Sequence, residues 1–262
     1  MNGNSKTAGI ILAAGYSSRM GDFKPLLKVG DVPAIGRVAD AFREAGVNQI
    51  IAVTGYKREL LGPILKEKGI EEAYNKDFCE GMYESVKTGI RAAMAKPSVP
   101  LSAYLLLPVD CPLVPAKIIN RIVQEHKMHP ESFIVPCYHG KKGHPLLIPS
   151  IYEGEILAYN GERGLKAVTT RHEDKMLRIE TDCEAVVLDM DTPEGYQEIL
   201  CYYEKQKNIL SGKESPHDYR DDLRGRRLFL VRHGETRQHA EKIFMGQYDV
   251  PLSEKGRKQA AT

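Results

Sequence analysis

Apolar runs of strand length alternate with helix-patterned segments across the first 200 residues, and that alternation restricts the fold more than any single residue does. Thr7 to Leu12 is an apolar run that leads into Gly15 and reads as a buried strand. Ile35, Val38, Ala39, Phe42 and Ala45 follow with the i, i+3, i+4, i+7 spacing of a helix carrying one buried stripe. Gln49 to Thr54 is the next strand, and the helical spacing returns at Met82, Val86, Ile90 and Ala93. Ala103 to Pro108 is the most apolar strand. Pro115 then opens a helix whose inner face is Ile118, Ile119, Ile122, Val123 and His126. Strands that read as continuous apolar runs between helices predict an α/β fold, a mostly parallel sheet covered on both faces.

Ala185 to Leu188 is expected as a last central strand. Thr192 and Pro193 read as the N-cap and first position of a helix through Tyr203. A first domain over residues 1–204 is expected. Between Lys205 and Arg227 the chain is poor in apolar residues and rich in mixed charge, which predicts a linker over 205–226 and a second piece over 227–262. Charge supports a junction there: from Cys201 onward 13 basic residues face 9 acidic ones, whereas the whole chain carries 37 Lys and Arg against 35 Asp and Glu. A formal net charge of +2 argues against a nucleic-acid partner held by bulk charge. No apolar run approaches the roughly 20 residues of a membrane span, and the start MNGNSKT lacks a secretory layout, so a cytoplasmic protein without a membrane partner is expected. Cys79, Cys111, Cys137, Cys183 and Cys201 are odd in number and scattered, as expected of reduced thiols.

The stretch from Leu12, Ala13, Ala14 and Gly15 through Ser17, Ser18, Arg19, Met20 and Gly21 to Lys24 follows a strand end and places small residues before two cations. Small residues let backbone N–H groups approach an anion, and Arg19 and Lys24 supply charge for a triphosphate. The pattern is neither Gly-Lys-Ser/Thr nor G-x-G-x-x-G. The whole string resembles the signature L-A-A-G-x-S-x-R-M-G-x-x-K of nucleotidyltransferases with a Rossmann-like three-layer fold, in particular the molybdenum cofactor cytidylyltransferases.

Three more segments carry the resemblance in the same order. Asn75 with Gly81 to Val86, including Ser85, is similar to the family segment that contacts base and ribose. Leu107 to Val114 is similar to the strand end whose aspartate, here Asp110, holds Mg²⁺. Gly143, His144 and Pro145 resemble the motif that faces the second substrate. Asp189 to Pro193 resembles the family's D-x-D-T-P segment, which makes Asp191 a second metal ligand or, alternatively, the cap of the following helix. Each element has a plain structural reading as well, since an aspartate after a strand is often a turn former and Gly-His-Pro often a turn.

The resemblance implies in-line attack by a substrate phosphate on the α-phosphorus of a nucleoside triphosphate, with Arg19 and Lys24 as catalytic and nucleotide-binding groups beside Leu12 to Gly15. Positioning and charge neutralisation carry such a reaction. Leu-Ala-Ala-Gly in place of the guanylyltransferases' Leu-Ala-Gly-Gly implies CTP, with molybdopterin as acceptor and a molybdenum hydroxylase as a possible downstream partner. Sugar-phosphate and methylerythritol-phosphate nucleotidyltransferases also carry Leu-Ala-Ala-Gly and remain the alternative. A non-catalytic cofactor-binding maturation protein is a third reading.

Arg227 to Val231 reads as a short strand leading into Arg232, His233, Gly234, Glu235 and Thr236. This segment, with Gly246 to Ser253 and Gly256 to Ala260, resembles the start of the histidine phosphatase superfamily, which includes the phosphoglycerate mutases. The resemblance implies that His233 accepts a phosphoryl group while Arg232 holds its oxygens. Gln238 and His239 stand where that family often has Trp-Asn. The family's later arginine, proton donor and second histidine have no counterpart in these about 36 residues, which are too few for that core. This truncated, incomplete α/β segment is therefore expected to be inactive as a phosphatase by itself.

Overall fold

Ile10 and Ile11 are adjacent on one strand and both fully buried, which requires apolar cover on both faces of the sheet that contains them. The computed structural model describes residues 6–95 and 100–211, all within the first of two units into which the chain divides, Met1–Lys213. In chain order the strands are β1 (Lys6–Ala13), β2 (Lys28–Val29), β3 (Val32–Pro33), β4 (Gln49–Thr54), β5 (Glu71–Tyr74), β6 (Leu101–Pro108), β7 (Phe133–Tyr138), β8 (Lys141–Lys142), β9 (Leu146–Pro149) and β10 (Met176–Glu180). The helices are α1 (Ala34–Glu44), α2 (Gly62–Glu67), α3 (Met82–Ala95), α4 (Ala116–Met128), α5 (Glu153–Ala158), α6 (Gly164–Arg171) and α7 (Pro193–Leu210).

The main sheet runs β10-β7-β9-β6-β1-β4-β5, with β8 paired to β7. β1 pairs parallel with β4 and β6, β4 with β5, and β7 with β10; β9 runs antiparallel to both β6 and β7. The sheet is thus mostly parallel, as the alternation predicts. Ile11, Ala52, Leu105 and Leu107 face α1, α4 and α7, and Ile10, Val53, Tyr104 and Leu106 face α3, α5 and α6. These are the three layers. Each fully buried Leu or Ile side chain is worth about 1.5–3 kcal/mol over an exposed one, so the two apolar clusters fix the strand register.

Three expectations need correction. Ala185 to Leu188 is not a strand: Glu184–Val186 is a 3-10 turn whose apolar side chains fill the core without pairing in the sheet. The edge position belongs to β10, whose alternating Leu177, Arg178, Ile179 and Glu180 have a half-exposed pattern. The last helix continues past Tyr203 to Leu210, so the first residues expected in the linker are helical. Met82 stands at the exposed start of α3, 67% accessible, and takes no part in its buried stripe. No helix among the described residues is long and apolar enough to cross a membrane. All five cysteines are free thiols.

Candidate nucleotide site at the carboxyl edge of the sheet

Ala13 pairs with Thr54, and Leu12 with Pro108, so β1, β4 and β6 end side by side. Ligands of open α/β sheets bind outside such carboxyl ends. The loop after β1 leaves from this edge. Ala14 is buried and its carbonyl accepts from the Tyr56 N–H at 3.1 Å, whereas Gly15, Tyr16, Ser18 and Arg19 are exposed. Gly55 makes that approach possible, since a Cβ there would stand 2.7 Å from the Ala14 carbonyl oxygen. Ser17 closes the turn: its carbonyl accepts from the N–H groups of Met20 and Gly21, each at 3.1 Å, and its hydroxyl accepts from the Lys24 N–H at 3.3 Å.

Lys24, Asp110 and Asp191 meet at one point. The Lys24 ammonium donates to Asp191 Oδ1 at 2.5 Å and to Asp110 Oδ2 at 3.3 Å, and its side chain is only 11% exposed. Arg19 donates to Asp191 Oδ2 at 2.6 Å from an exposed side chain. The Lys24 hydrogen bond is the main reason that Asp191 is held below the usual carboxylate range; Lys24 and Arg19 charges add to it against partial burial. A depressed pKa stabilises the fold above the unfolded value and is lost as pH falls through the folded one, so this network is intact at neutral pH.

Backbone contacts aim these groups. The Met190 N–H donates to the Asp110 carbonyl at 3.0 Å, which ties the chain before α7 to the end of β6, and the Asp191 N–H donates to Asp189 Oδ1 at 3.0 Å. Thr192 is the N-cap of α7, its hydroxyl accepting from the Gly195 N–H at 3.2 Å. Capping therefore falls to Thr192, and the Asp191 carboxylate is left for the two cations. Thr192→Ala is expected to cost about 1 kcal/mol in urea denaturation, the usual value of such a cap. Farther along α7, the Tyr196 hydroxyl donates to the Lys28 carbonyl at 2.6 Å and the Arg37 guanidinium lies 4.3 Å from the Tyr203 ring centre. Both contacts clasp α7 to the segment that follows Lys24.

Gly143, His144 and Pro145 precede β9, whose Leu146 pairs with Leu106, so they lie across from the end of β6. The His144 N–H donates to the Val186 carbonyl at 2.8 Å, and its buried Nδ1 has no hydrogen-bond partner among the described residues. Burial pushes the His144 pKa down, against the nearby charges of Asp110 and Asp189. The ring is therefore neutral at pH 7. Asn75 follows β5, three strands from β6, and its amide donates to the hydroxyl of Ser85 on α3 at 3.0 Å; both residues are buried.

Sequence reasoning missed the aromatic bridge between these two parts. The Tyr16 ring lies 5.2 Å from both Tyr56 and Phe78, joining the loop to the segment before α3. The signal was present in aromatics following each strand end, but only the packing shows that they meet. Arg232 and His233 lie outside the described residues.

No group of three or more His, Cys, Asp or Glu side chains among the described residues is arranged to hold a metal alone. Asp110 and Asp191 nevertheless converge on a single cation, the Lys24 ammonium. That donor set fits Mg²⁺, which usually takes one or two carboxylates and completes its shell with water and substrate phosphates.

The family model for a MobA-like NTP transferase domain matches residues 9–176. The chain belongs to that family. The match to the MobA-like NTP transferase domain runs from β1 to the start of β10 and takes in the loop, Lys24, Asp110 and the Gly143 segment, leaving Asp191 beyond it. Residues 228–262 match the model of histidine phosphatase superfamily branch 1. A molybdenum cofactor cytidylyltransferase of Escherichia coli K12 is 26% identical over 191 residues, covering 71% of this chain and 92% of its own length. The bifunctional protein GlmU of Carboxydothermus hydrogenoformans is 32% identical over 120 residues, 45% of this chain; the chain spans only 25% of that protein's length. Rv0371c of Mycobacterium tuberculosis H37Rv superposes with a TM-score of 0.66 at 25% identity, over 76% of this chain and 99% of its own. Rv0371c has also been solved in complex with manganese.

Proposed function

We propose that this nucleotidyltransferase transfers CMP from CTP to the phosphate of molybdopterin, with Mg²⁺ and with release of pyrophosphate. The observation that carries the reading is the convergence of Lys24, Asp110 and Asp191 beside a loop of small residues at the carboxyl edge of the sheet. The family membership and the similarity to the E. coli cytidylyltransferase support the reaction class and the acceptor.

In this assignment the backbone from Leu12 to Gly15 faces the nucleotide phosphates, and Arg19 and Lys24 neutralise them. Asp110 and Asp191 hold Mg²⁺, which supplies charge neutralisation on the phosphate oxygens when bound. Lys24 stands closest to the α-phosphate, where negative charge builds up. An acceptor phosphate oxygen forms the new bond to the α-phosphorus, the bond from that phosphorus to the bridging oxygen of the β-phosphate breaks, and its electron pair leaves on pyrophosphate. The attacking phosphate is already ionised, so no general base is needed. Ser85 and Asn75 hold the backbone that meets base and ribose. Gly143, His144 and Pro145 face the acceptor, and a neutral His144 offers it an uncharged polar surface.

Leu-Ala-Ala-Gly at the loop, in place of the Leu-Ala-Gly-Gly of the guanylyltransferases, supports a pyrimidine nucleotide. A pyrophosphate-release assay with molybdopterin and each nucleotide is expected to rank CTP above GTP and ATP. GTP as the better substrate would overturn the nucleotide assignment. Turnover with a sugar phosphate but not with molybdopterin would overturn the acceptor, and stoichiometric binding without pyrophosphate release would favour a carrier role.

A further inference from the structure

Both Asp191 carboxylate oxygens are taken, Oδ1 by Lys24 and Oδ2 by Arg19, and Asp110 Oδ2 shares the same ammonium. Two carboxylates and two cations balance one another before any ligand arrives. The Lys24 ammonium occupies the point on which both carboxylates converge, with its side chain 11% exposed, so a divalent ion can reach Asp110 and Asp191 together only by displacing it. Displacing Lys24 with nothing to receive it would leave an ammonium and a divalent cation facing each other in a partly desolvated site, a like-charge contact that disfavours both. A polyphosphate changes the balance, because its oxygens accept Lys24 and Arg19 as the carboxylates turn to the metal.

Resting on the nucleotidyltransferase reading above, we propose that Lys24 is an internal counter-cation that keeps metal from the two carboxylates until a nucleotide binds, so that the nucleotide assembles the metal site. The two ligands then bind cooperatively, and by linkage each raises the affinity for the other by the same factor. The backbone frame supports an exchange of partners over a rearrangement of the chain. Asp191 is anchored through its N–H to Asp189, Asp110 through its carbonyl to Met190, and Lys24 through its N–H to the Ser17 hydroxyl, all independently of the ion pairs. Only side chains need to move, the lysine and arginine stems and the two carboxylates.

The test is Mn²⁺ binding to the full chain, followed by the electron paramagnetic resonance signal of the free ion, alone and with a non-hydrolysable α,β-methylene CTP analogue. Couplings between ligand sites are usually about 5- to 150-fold, and wild type is expected to bind Mn²⁺ at least about tenfold more tightly with the analogue than without it. Lys24→Met is expected to bind Mn²⁺ alone at least about tenfold more tightly than wild type and to lose most of that dependence. Lys24→Arg, which keeps the charge, is expected to keep metal out, and Asp191→Asn added to Lys24→Met is expected to abolish the gain. Thermal melting of each variant reports folding, and Lys24→Gln replaces Lys24→Met should the latter fail to fold. If Lys24→Met or Lys24→Gln binds Mn²⁺ alone no better than a wild type that still binds the analogue, the counter-cation role is overturned and the transferase reading stands. If wild type binds no analogue at any Mn²⁺ concentration, both are overturned.

Discussion

Lys24→Ala is expected to lower kcat for pyrophosphate release by about 10²- to 10³-fold, the usual cost of removing one charge-stabilising donor from a transition state. The ammonium is held in place before the reaction, 2.5 Å from Asp191 and 3.3 Å from Asp110, at a side chain that is mostly buried. Once bound phosphate has replaced the carboxylates as its partner, the ammonium faces the α-phosphate before charge develops there, its main chain still held on the Ser17 hydroxyl. The fold should survive, because Asp191 keeps Arg19 and its main-chain anchor on Asp189. The loss belongs in kcat more than in KM for CTP, since Arg19 and the loop backbone remain to bind the ground-state phosphates. Steady-state kinetics with varied CTP separates the two. A Lys24→Ala variant turning over at the wild-type rate would remove Lys24 from the reaction.

Gly143→Ala is expected to destabilise the protein by about 1–3 kcal/mol, the range for overpacking a filled site. A Cβ at this position would stand 2.3 Å from the Val186 carbonyl oxygen, and backbone cannot swing aside as a long side chain does. That carbonyl also accepts from the His144 N–H at 2.8 Å, so relieving the clash loosens the bond that joins the acceptor side to the chain leading into Asp189 and Asp191. A lower urea midpoint and a raised KM for the acceptor are both expected, with CTP binding changed less. An unchanged midpoint would mean that the two segments separate freely.

The central strands were legible because parallel strands buried on both faces read as plain apolar runs, as Gln49 to Thr54 does. Ala185 to Leu188 misled for the same reason, since a short apolar run records burial and not pairing. The true edge strand, Met176–Glu180, exposes Arg178 and Glu180 and looks no different from a polar loop. The end of the last helix was hidden in Lys205 to Lys207, whose residues favour a helix but show no buried stripe. At the site, Arg19, Lys24, Asp110 and Asp191 were found through a motif, and Asp191 was separated from a capping role only by the Thr192 hydroxyl. Nothing in residue spacing shows that Lys24 lies between two carboxylates 86 and 167 residues farther along the chain. That contact depends on β1 and β6 being neighbours and on Met190 bonding to Asp110.

Positional labelling decides whether the carboxyl-edge site moves a nucleotidyl group. With CTP labelled at the α-phosphate, Mg²⁺ and molybdopterin, the label is expected on the pterin product in equal amount to the pyrophosphate released, and Asp110→Ala is expected to suppress both. Label remaining in CDP, with the γ-phosphate released as inorganic phosphate and no labelled pterin, would show attack at the wrong phosphorus and overturn the nucleotidyl-transfer assignment.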